Sequence, residues 1–408
     1  MIALVDCNNF YVSCERVFNL SIHNKPVVVL SNNDGCIISR SNEAKALGIK
    51  MGSPLFKNRS VINKNDVYVY SSNFPLYSDL SQRIMSILIE KYLKVEIYSI
   101  DEAFLDYSKI IEPLKDALQI QTQILKWIGI PVSIGIAKNK TLAKIANRIA
   151  KNKYRASVLH INCQEKLNKY LQETSVSELW GIGKQYAKFL ISSGINNAYE
   201  LSHCSDCWIK KNLSILGLKT VDELRGKSCF KILMEKQSKK SIRVARTFSK
   251  GVNDFILLSN RLSTFTNLCS EKLRKENAYA RKATIFISTN PFNKDLNSHY
   301  YAKKTIFFES PTDNTLKIIA HVMRALRLIY KNEFLYKKTG VILSDIIPKS
   351  KIELNLFNNK FENAKENSLM SAVDKINKTY GKMTIFPASN GNRQNNLPQQ
   401  KHLSPRYT

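Results

Sequence analysis

Acidic side chains are scarce in this 408-residue chain: 33 Asp and Glu stand against 62 Lys and Arg, a formal charge of +29. Such a surplus repels itself unless an anionic partner is at hand, and a long polyanion such as DNA or RNA supplies one. A lysine-rich codon usage is the plainer source of the same charge. Long apolar runs are missing too, none nearing the roughly 18 residues of a membrane helix, so no membrane span is expected. The opening MIALVDCNNF has no basic start, and Asp6 interrupts its apolar run, so it does not read as a signal peptide. Glycine (14) and proline (11) are too few for a collagen-like chain. The eight cysteines, at 7, 14, 36, 163, 204, 207, 229 and 269, show no repeated spacing, which excludes a disulfide-stapled scaffold and fits a reduced, cytoplasmic protein. What is there, a 44% hydrophobic sequence without solenoid repeats, predicts two to four folded domains at roughly 100–200 residues each.

Residues 2–5 (IALV) predict a short buried strand with Asp6 at its C-terminal end, and NNFYVSCERVF a helix. KPVVVLSNNDG predicts a β-run turning at Asn33-Asp34-Gly35, and CIISRSNEAKALGI a helix ending at Gly48. Residues 56–66 read as a polar loop, and DLSQRIMSILIEKYL as an amphipathic helix. VEIYSIDEAFLDYS reads as two strands meeting at a tight acidic tip, Asp101-Glu102. LKDALQIQTQILKWI is a further helix and PVSIGI a further strand. Strand, helix, insertion, strand, strand, helix, strand is the βαββαβ ferredoxin-like order with a module inserted near its start.

Beyond residue 137, Lys140, Lys144, Arg148, Lys151 and Arg155 recur at helical steps and share one face. A face of one sign reads as an anion-binding surface, against the plainer reading of a solvated face. Residues 166–230 read as helical. Within them LWGIGKQYAKFLISSGI predicts helix, hairpin, helix, turning at Gly181-Ile182-Gly183, where backbone amides and Lys184 can reach a DNA phosphate. One Cys-x-x-Cys, Cys204 and Cys207 beside His203, has no second pair nearby and reads as ordinary helix and loop rather than a zinc site. Residues 242–347 read as β-rich, with helices near 259–279 and 313–330. In SIRVARTFS, alternation sets Ile242, Val244 and Phe248 on one side and Arg243, Thr247 and Ser249 on the other, with Arg246 the exception. From about 348 onward polar residues accumulate, and NGNRQNNLPQQKHLSPRYT reads as a disordered or partner-ordered tail.

The three acids most out of place are Asp6, at a strand end, and the pair Asp101-Glu102. In a ferredoxin-like sheet the first strand and the middle hairpin are neighbours, so Asp6 would face Asp101. Three gathered carboxylates repel unless a hard divalent cation neutralises them, and Mg²⁺ takes oxygen ligands together with substrate phosphates. The set suits two-metal phosphoryl transfer. The rival reading makes Asp101 a turn cap and Asp6 a cap of the next helix.

MIALVDCNNFYVSCERVF, KPVVVLSNNDGCIISRSNEAKALGIKMGSP, VEIYSIDEAFLDYS, SIGIAKNKTLAKIANRIAK and VSELWGIGKQYAKFL together resemble the Y-family, translesion DNA polymerases. TNPFN, ELNLF and LSPRYT resemble the DNA polymerase V branch rather than DNA polymerase IV. The resemblance runs from residue 1 to 408 and implies an α+β right-hand fold. Its parts would be a ferredoxin-like palm (1–25 and 75–165), small fingers (26–74), a helical thumb with a helix-hairpin-helix (166–235), a little finger (241–347) of β-sheet plus helices, and a tail (348–408) with a clamp-type motif. It implies that Asp6, Asp101 and Glu102, with the Cys7 carbonyl, hold two Mg²⁺ ions. Phe10 and Tyr11 match the family's paired aromatics, Tyr11 being the ring that clashes with a ribose 2′-OH. Lys45 and Lys151 match triphosphate contacts, with Ser39 and Arg40 secondary. Lys45 stands where many members have Arg and Asn42 where they have Tyr, so the cation can neutralise phosphate but orients it less. Gly181, Gly183, Lys184, Arg243 and Arg246 would grip DNA. Leu354, Leu356 and Phe357 would bind a sliding clamp, weakly because Glu353 departs from the usual Gln. Relatives in the family continue a short way past LSPRYT, which implies a partner site there that is incomplete or absent. Implied partners are primer-template DNA, dNTP, processed UmuD and RecA, in an SOS DNA-damage setting. Two rival functions are a palm-fold nucleotidyl cyclase, which has no use for a helix-hairpin-helix, and a non-catalytic DNA-binding repair scaffold, which has no use for three carboxylates.

Overall fold

The computed structural model describes residues 1–154, 158–234, 238–293, 295, 298–351, 360–391 and 400–408. They form two units, Met1–Lys236 with Gln400–Thr408, and Gln237–Gln399.

The first unit opens with β1 (Ile2–Cys7) and α1 (Phe10–Phe18). An insertion follows: β2 (Val27–Leu30), β3 (Ile37–Arg40), α2 (Asn42–Ala46), α3 (Leu55–Lys64) and β4 (Tyr68–Ser71), its strands ordered β3-β2-β4. The 56–66 stretch is thus largely helix rather than loop: one buried side chain, Ile62, seats α3 on the small core of Val28, Leu30 and Ile37, too sparse an apolar pattern to show as periodicity. Next come α4 (Phe74–Lys91), β5 (Val95–Ile97), β6 (Glu102–Asp106), α5 (Pro113–Ile128), β7 (Val132–Ala137), α6 (Lys140–Tyr154) and β8 (Val158–His160). The sheet order β5-β6-β1-β7-β8 is the ferredoxin-like arrangement extended by one parallel strand.

β1 is buried on both faces, and its alternation decides the rest. Ala3, Val5 and Cys7 pack in the core containing Leu80, Ile84, Ile120 and Ile124 of α4 and α5. Ile2 and Leu4 pack in the core containing Leu142, Ile145 and Ile149 of α6, so Asp6 falls on the α6 side. Helix α6 lies very close to the sheet: a Cβ built at Gly135 would sit 2.2 Å from the Asn147 nitrogen and 2.3 Å from the Ala143 oxygen. Asn147, in turn, donates to the carbonyls of Leu4 (3.3 Å) and Ser133 (2.7 Å).

Four helices complete the unit: α7 (Gln164–Glu173), α8 (Lys184–Ser192), α9 (Ala198–Ser202) and α10 (Asp206–Leu224). Buried Glu223 of α10 accepts from the Thr141 amide and hydroxyl and from the amides of Cys229 and Phe230, which fixes the N-terminus of α6. Residues 400–408 belong to this unit, running beside the edge strand β4; there the Ser71 amide donates to the His402 carbonyl at 2.8 Å.

The second unit is a four-stranded antiparallel sheet ordered β11-β10-β12-β9, from β9 (Ser241–Val252), β10 (Ala278–Ser288), β11 (Tyr301–Thr312) and β12 (Tyr336–Pro348). Its core includes Leu262 and Leu273 of α11 (Phe255–Lys275) and Val322 and Leu326 of α12 (Thr315–Ile329). The polar stretch after 348 holds a twenty-residue helix, α13 (Lys360–Thr379), whose Asp374 accepts from Arg274 Nε and Nη2 at 2.6 and 2.8 Å. The end of the chain, read as a disordered or partner-ordered tail, is over 400–408 ordered by the chain itself, on partners such as Ser71 that lie far away in sequence. The clamp-type stretch Glu353–Phe357 lies outside the described residues.

Candidate active site

Asp6 of β1 stands directly opposite Glu102 of β6 in the strand register, and Phe104, two residues on, packs in the α6-side core. Asp6 and Glu102 therefore share the sheet face that α6 covers. Asp101 sits at the hairpin tip, its carbonyl accepting from the Cys7 amide at 2.9 Å. The Ser99 hydroxyl donates to Asp101 Oδ1 at 2.5 Å and accepts from the Glu102 amide at 3.0 Å, shaping the turn. The rival role for Asp6, capping α1, is absent: Asn9 occupies the cap position, and Asp6 pairs with Lys151 instead.

The basic face of α6 lies over these acids. Lys140 pairs with Glu96 of β5 at 2.5 Å, Lys144 with Glu102 at 2.9 Å, Lys151 with Asp6 at 2.5 Å, and Arg148 with Glu178. The face read as an open anion surface is, over these positions, matched by carboxylates of the chain itself; sequence showed the cations but not partners 30 to 145 residues away. Arg155 lies outside the described residues. Lys144 also faces the rings of Tyr98, Phe104 and Trp180 at 4.7–5.7 Å.

Asp6 feels the other two acids. Burial pushes the Asp6 carboxyl up to about 7, the Glu102 and Asp101 charges add to the rise, and Lys151 opposes it. Among the described residues no three His, Cys, Asp or Glu side chains form a finished metal cage; ammonium groups pair with two of the three carboxylates. The donor set, hard oxygens on crowded acids already countered by cations, fits divalent Mg²⁺-type ions better than thiophilic ones. The Cys7 thiol is buried and its pKa pushed well up by burial, so only its backbone is available.

Beside Asp6 lies a patch of positive charge. Burial lowers the pKa of Lys45, and the charges of Arg40 and Lys151 lower it further; Lys45 Nζ donates to Asn42 Oδ1 at 3.1 Å. Ser39 is buried, its hydroxyl 3.4 Å from the Asn9 carbonyl. Phe10 is in the core, whereas Tyr11 is half-buried, stacked on Tyr77 with centroids 4.6 Å apart and edge-on to Phe74. Sequence reading placed Lys144 on the basic face but missed Tyr77 and Glu96 as parts of the site; for Tyr77 the helical spacing of α4 was the available signal, while Glu96 stands on the short strand β5.

Gly181 has φ +86°, a conformation that favours glycine, and Gly183 caps α8 with nothing within 4 Å of a built Cβ. Lys184 begins α8. In the second unit Arg243 is exposed on β9, 4.8 Å from the Phe286 ring, while Arg246 is half-buried 5.8 Å from Phe265, on the core side. Cys204 and Cys207 are free thiols.

The impB/mucB/samB family profile matches residues 5–148 and that of its C-terminal domain residues 239–356. Protein UmuC of Salmonella typhimurium is 37% identical over 414 residues, spanning 100% of this chain and 98% of the relative. The chain belongs to the impB/mucB/samB family. Residues 367–408 match a further family domain, DUF4113, of unknown function. DNA polymerase IV of Oceanobacillus iheyensis is more distant, 28% identical over 98% of the chain and 93% of the relative. The fold is similar to that of a solved Y-family DNA polymerase chimera of Dbh and Dpo4, with a TM-score of 0.66 at 23% identity, covering 86% of this chain and 100% of the other. This impB/mucB/samB chain thus has the right-hand fold: a ferredoxin-like palm, small fingers on β2–β4, a helical thumb and a little finger. Among the described residues no helix is long and apolar enough to cross a membrane.

Proposed function

We propose that the chain is a translesion DNA polymerase, a DNA-directed nucleotidyltransferase extending a primer 3′-OH opposite damaged template, whose carboxylates Asp6, Asp101 and Glu102 with the Cys7 carbonyl hold two Mg²⁺ ions. The observation that carries it is the direct pairing of Asp6 and Glu102 across β1 and β6, with Asp101 at the adjoining tip. When bound, the metal ions supply charge neutralisation at the attacking and leaving oxygens. The chain's own groups do the rest. Lys45, Lys151 and Arg40, with Ser39 near, receive the dNTP triphosphate, and Lys151 exchanges its Asp6 partner for phosphate. Tyr11, braced by Tyr77, packs against the sugar and rejects a 2′-OH. Phe10 holds the backbone under that ring. Gly181, Gly183 and Lys184 grip the primer-template backbone from the thumb, and Arg243 grips it from the little finger, with Arg246 packed behind it on the core side, without reading sequence.

The proposal extends to the palm at 1–25 and 75–165, fingers at 26–74, thumb at 166–235 and little finger at 241–347, and to a cytoplasmic setting in the SOS response. Processed UmuD, RecA and a weakly held sliding clamp at Leu354, Leu356 and Phe357 are the proposed protein partners.

Primer extension past an abasic template site, with and without accessory subunits, tests it. Asp101→Asn should abolish extension while leaving primer-template affinity intact, and persistent extension by that variant would remove the carboxylate assignment.

A further inference from the structure

We infer that segment 400–408, within the part of the chain that matches a domain of unknown function, is a strap that sets the position of the sugar-sensing ring Tyr11 through Ser404, Glu15 and Tyr77. This rests on the reading of Tyr11 given above.

The contacts form one path. Tyr11 stacks on Tyr77 at 4.6 Å and 20°. Tyr77 is fully buried and donates its hydroxyl to Glu15 Oε1 at 2.6 Å. Glu15 is buried in α1, and a buried carboxylate needs donors. Its second donor is the Ser404 hydroxyl, on Oε1 at 3.2 Å; Oε2 has no partner among the described residues. The segment therefore supplies one of the two hydrogen bonds that hold the group beneath the ring.

A second set of contacts grips the same helix turn. Asn73 caps α4 by accepting from the Leu76 amide at 3.4 Å, and its amide group donates to Ser404 Oγ at 3.0 Å and the Pro405 carbonyl at 3.3 Å. That first turn of α4 carries Phe74 and Tyr77, the two rings that flank Tyr11. Around it the segment is fastened at four further points: Gln400 donates to the Ser72 carbonyl, the Lys401 amide to Asp34, the His402 amide to Ser71 Oγ, and Tyr407 stacks on Phe18 at 4.7 Å. Ser404 itself is 5% exposed. Sub-ångström placement of a rejecting ring decides how strongly an extra hydroxyl is penalised, so a segment nearly four hundred positions away in sequence acts as a specificity-positioning element.

The test uses the full chain and single-nucleotide insertion with matched deoxy- and ribonucleotides. Ser404→Ala should lower the deoxy-over-ribo preference in kcat/KM about three- to tenfold, the worth of one hydrogen bond, with primer-template affinity unchanged. Ser404→Thr, which keeps the hydroxyl, should restore the preference. Tyr77→Phe should lower it similarly, and the double variant no further than either alone. Slow exchange of the Ser71 amide, bonded to the His402 carbonyl, reports docking independently of turnover. If Tyr11→Ala admits ribonucleotides but Ser404→Ala leaves the preference intact, the strap is refuted and the gate reading stands. If Tyr11→Ala itself leaves sugar selection unchanged, the gate reading falls and the strap's role with it.

Discussion

Trp180 donates its indole Nε1–H to the Tyr98 hydroxyl at 3.0 Å. Its ring also lies 5.7 Å from Lys144 Nζ, which in turn pairs with Glu102. The residue next to the glycine hairpin thus touches the group that neutralises a site carboxylate. Trp180→Ala should cost about 2 kcal/mol of stability, less than a fully buried tryptophan, and lower single-nucleotide insertion about tenfold through displaced Lys144 and Glu102. Urea unfolding and insertion kinetics read the two effects; unchanged insertion with lowered stability would confine Trp180 to packing.

Magnesium should stabilise the folded chain before any nucleotide is present, because it relieves the crowding of Asp6, Asp101 and Glu102. At saturating Mg²⁺ a rise in Tm of about 3 °C or more is expected, by linkage between binding and folding, reversed by EDTA, which should also stop extension. Asp6→Asn should show a smaller rise. An equal rise in that variant would place the stabilising ion elsewhere.

Glu96 and Lys140 form a buried pair, with side-chain exposures of 10% and 4%, and Glu96 Oε2 also accepts from the Leu233 amide at 2.6 Å. Removing one partner leaves an uncompensated charge. Glu96→Ala should destabilise by about 3–5 kcal/mol, whereas the exposed pair Lys115–Glu112 should contribute under about 1 kcal/mol. Equal effects at the two sites in denaturant titrations would contradict the burial argument.

Burial raises the Glu15 pKa above the ordinary 4.5, and the hydroxyls of Tyr77 and Ser404 pull it part of the way back. The folded chain therefore holds this proton to higher pH than the unfolded chain. Its contribution to stability is full below about 4.5 and is lost as pH rises through the folded-state value. Glu15→Gln should remove that component, so its stability relative to the parent should improve from pH 5 to pH 8. Parallel urea midpoints across that range would show Glu15 to be unperturbed.

The palm was legible because its signals are local. The short apolar run IALV ahead of Asp6, and an acidic pair flanked by β-formers, place Asp6, Asp101 and Glu102 from sequence alone. The lysine face of α6 was legible as charge but not as pairing, since Glu96, Glu102 and Asp6 come from three strands. Helix α3 was hidden by its polar surface, with one buried side chain. Ser404 and Glu15, separated by 389 positions, leave no mark in any window of sequence.

Gly135 has so little clearance beneath α6 that a single methyl there would strike the Asn147 nitrogen and the Ala143 oxygen. Such a methyl would lift the helix from the sheet as a beam is raised off its bearing, and Lys140, Lys144 and Lys151 would rise with it. An alanine at this one position would thus uncouple three charge pairs at once while altering no charge, making the smallest side chain in the palm the setting for its electrostatics.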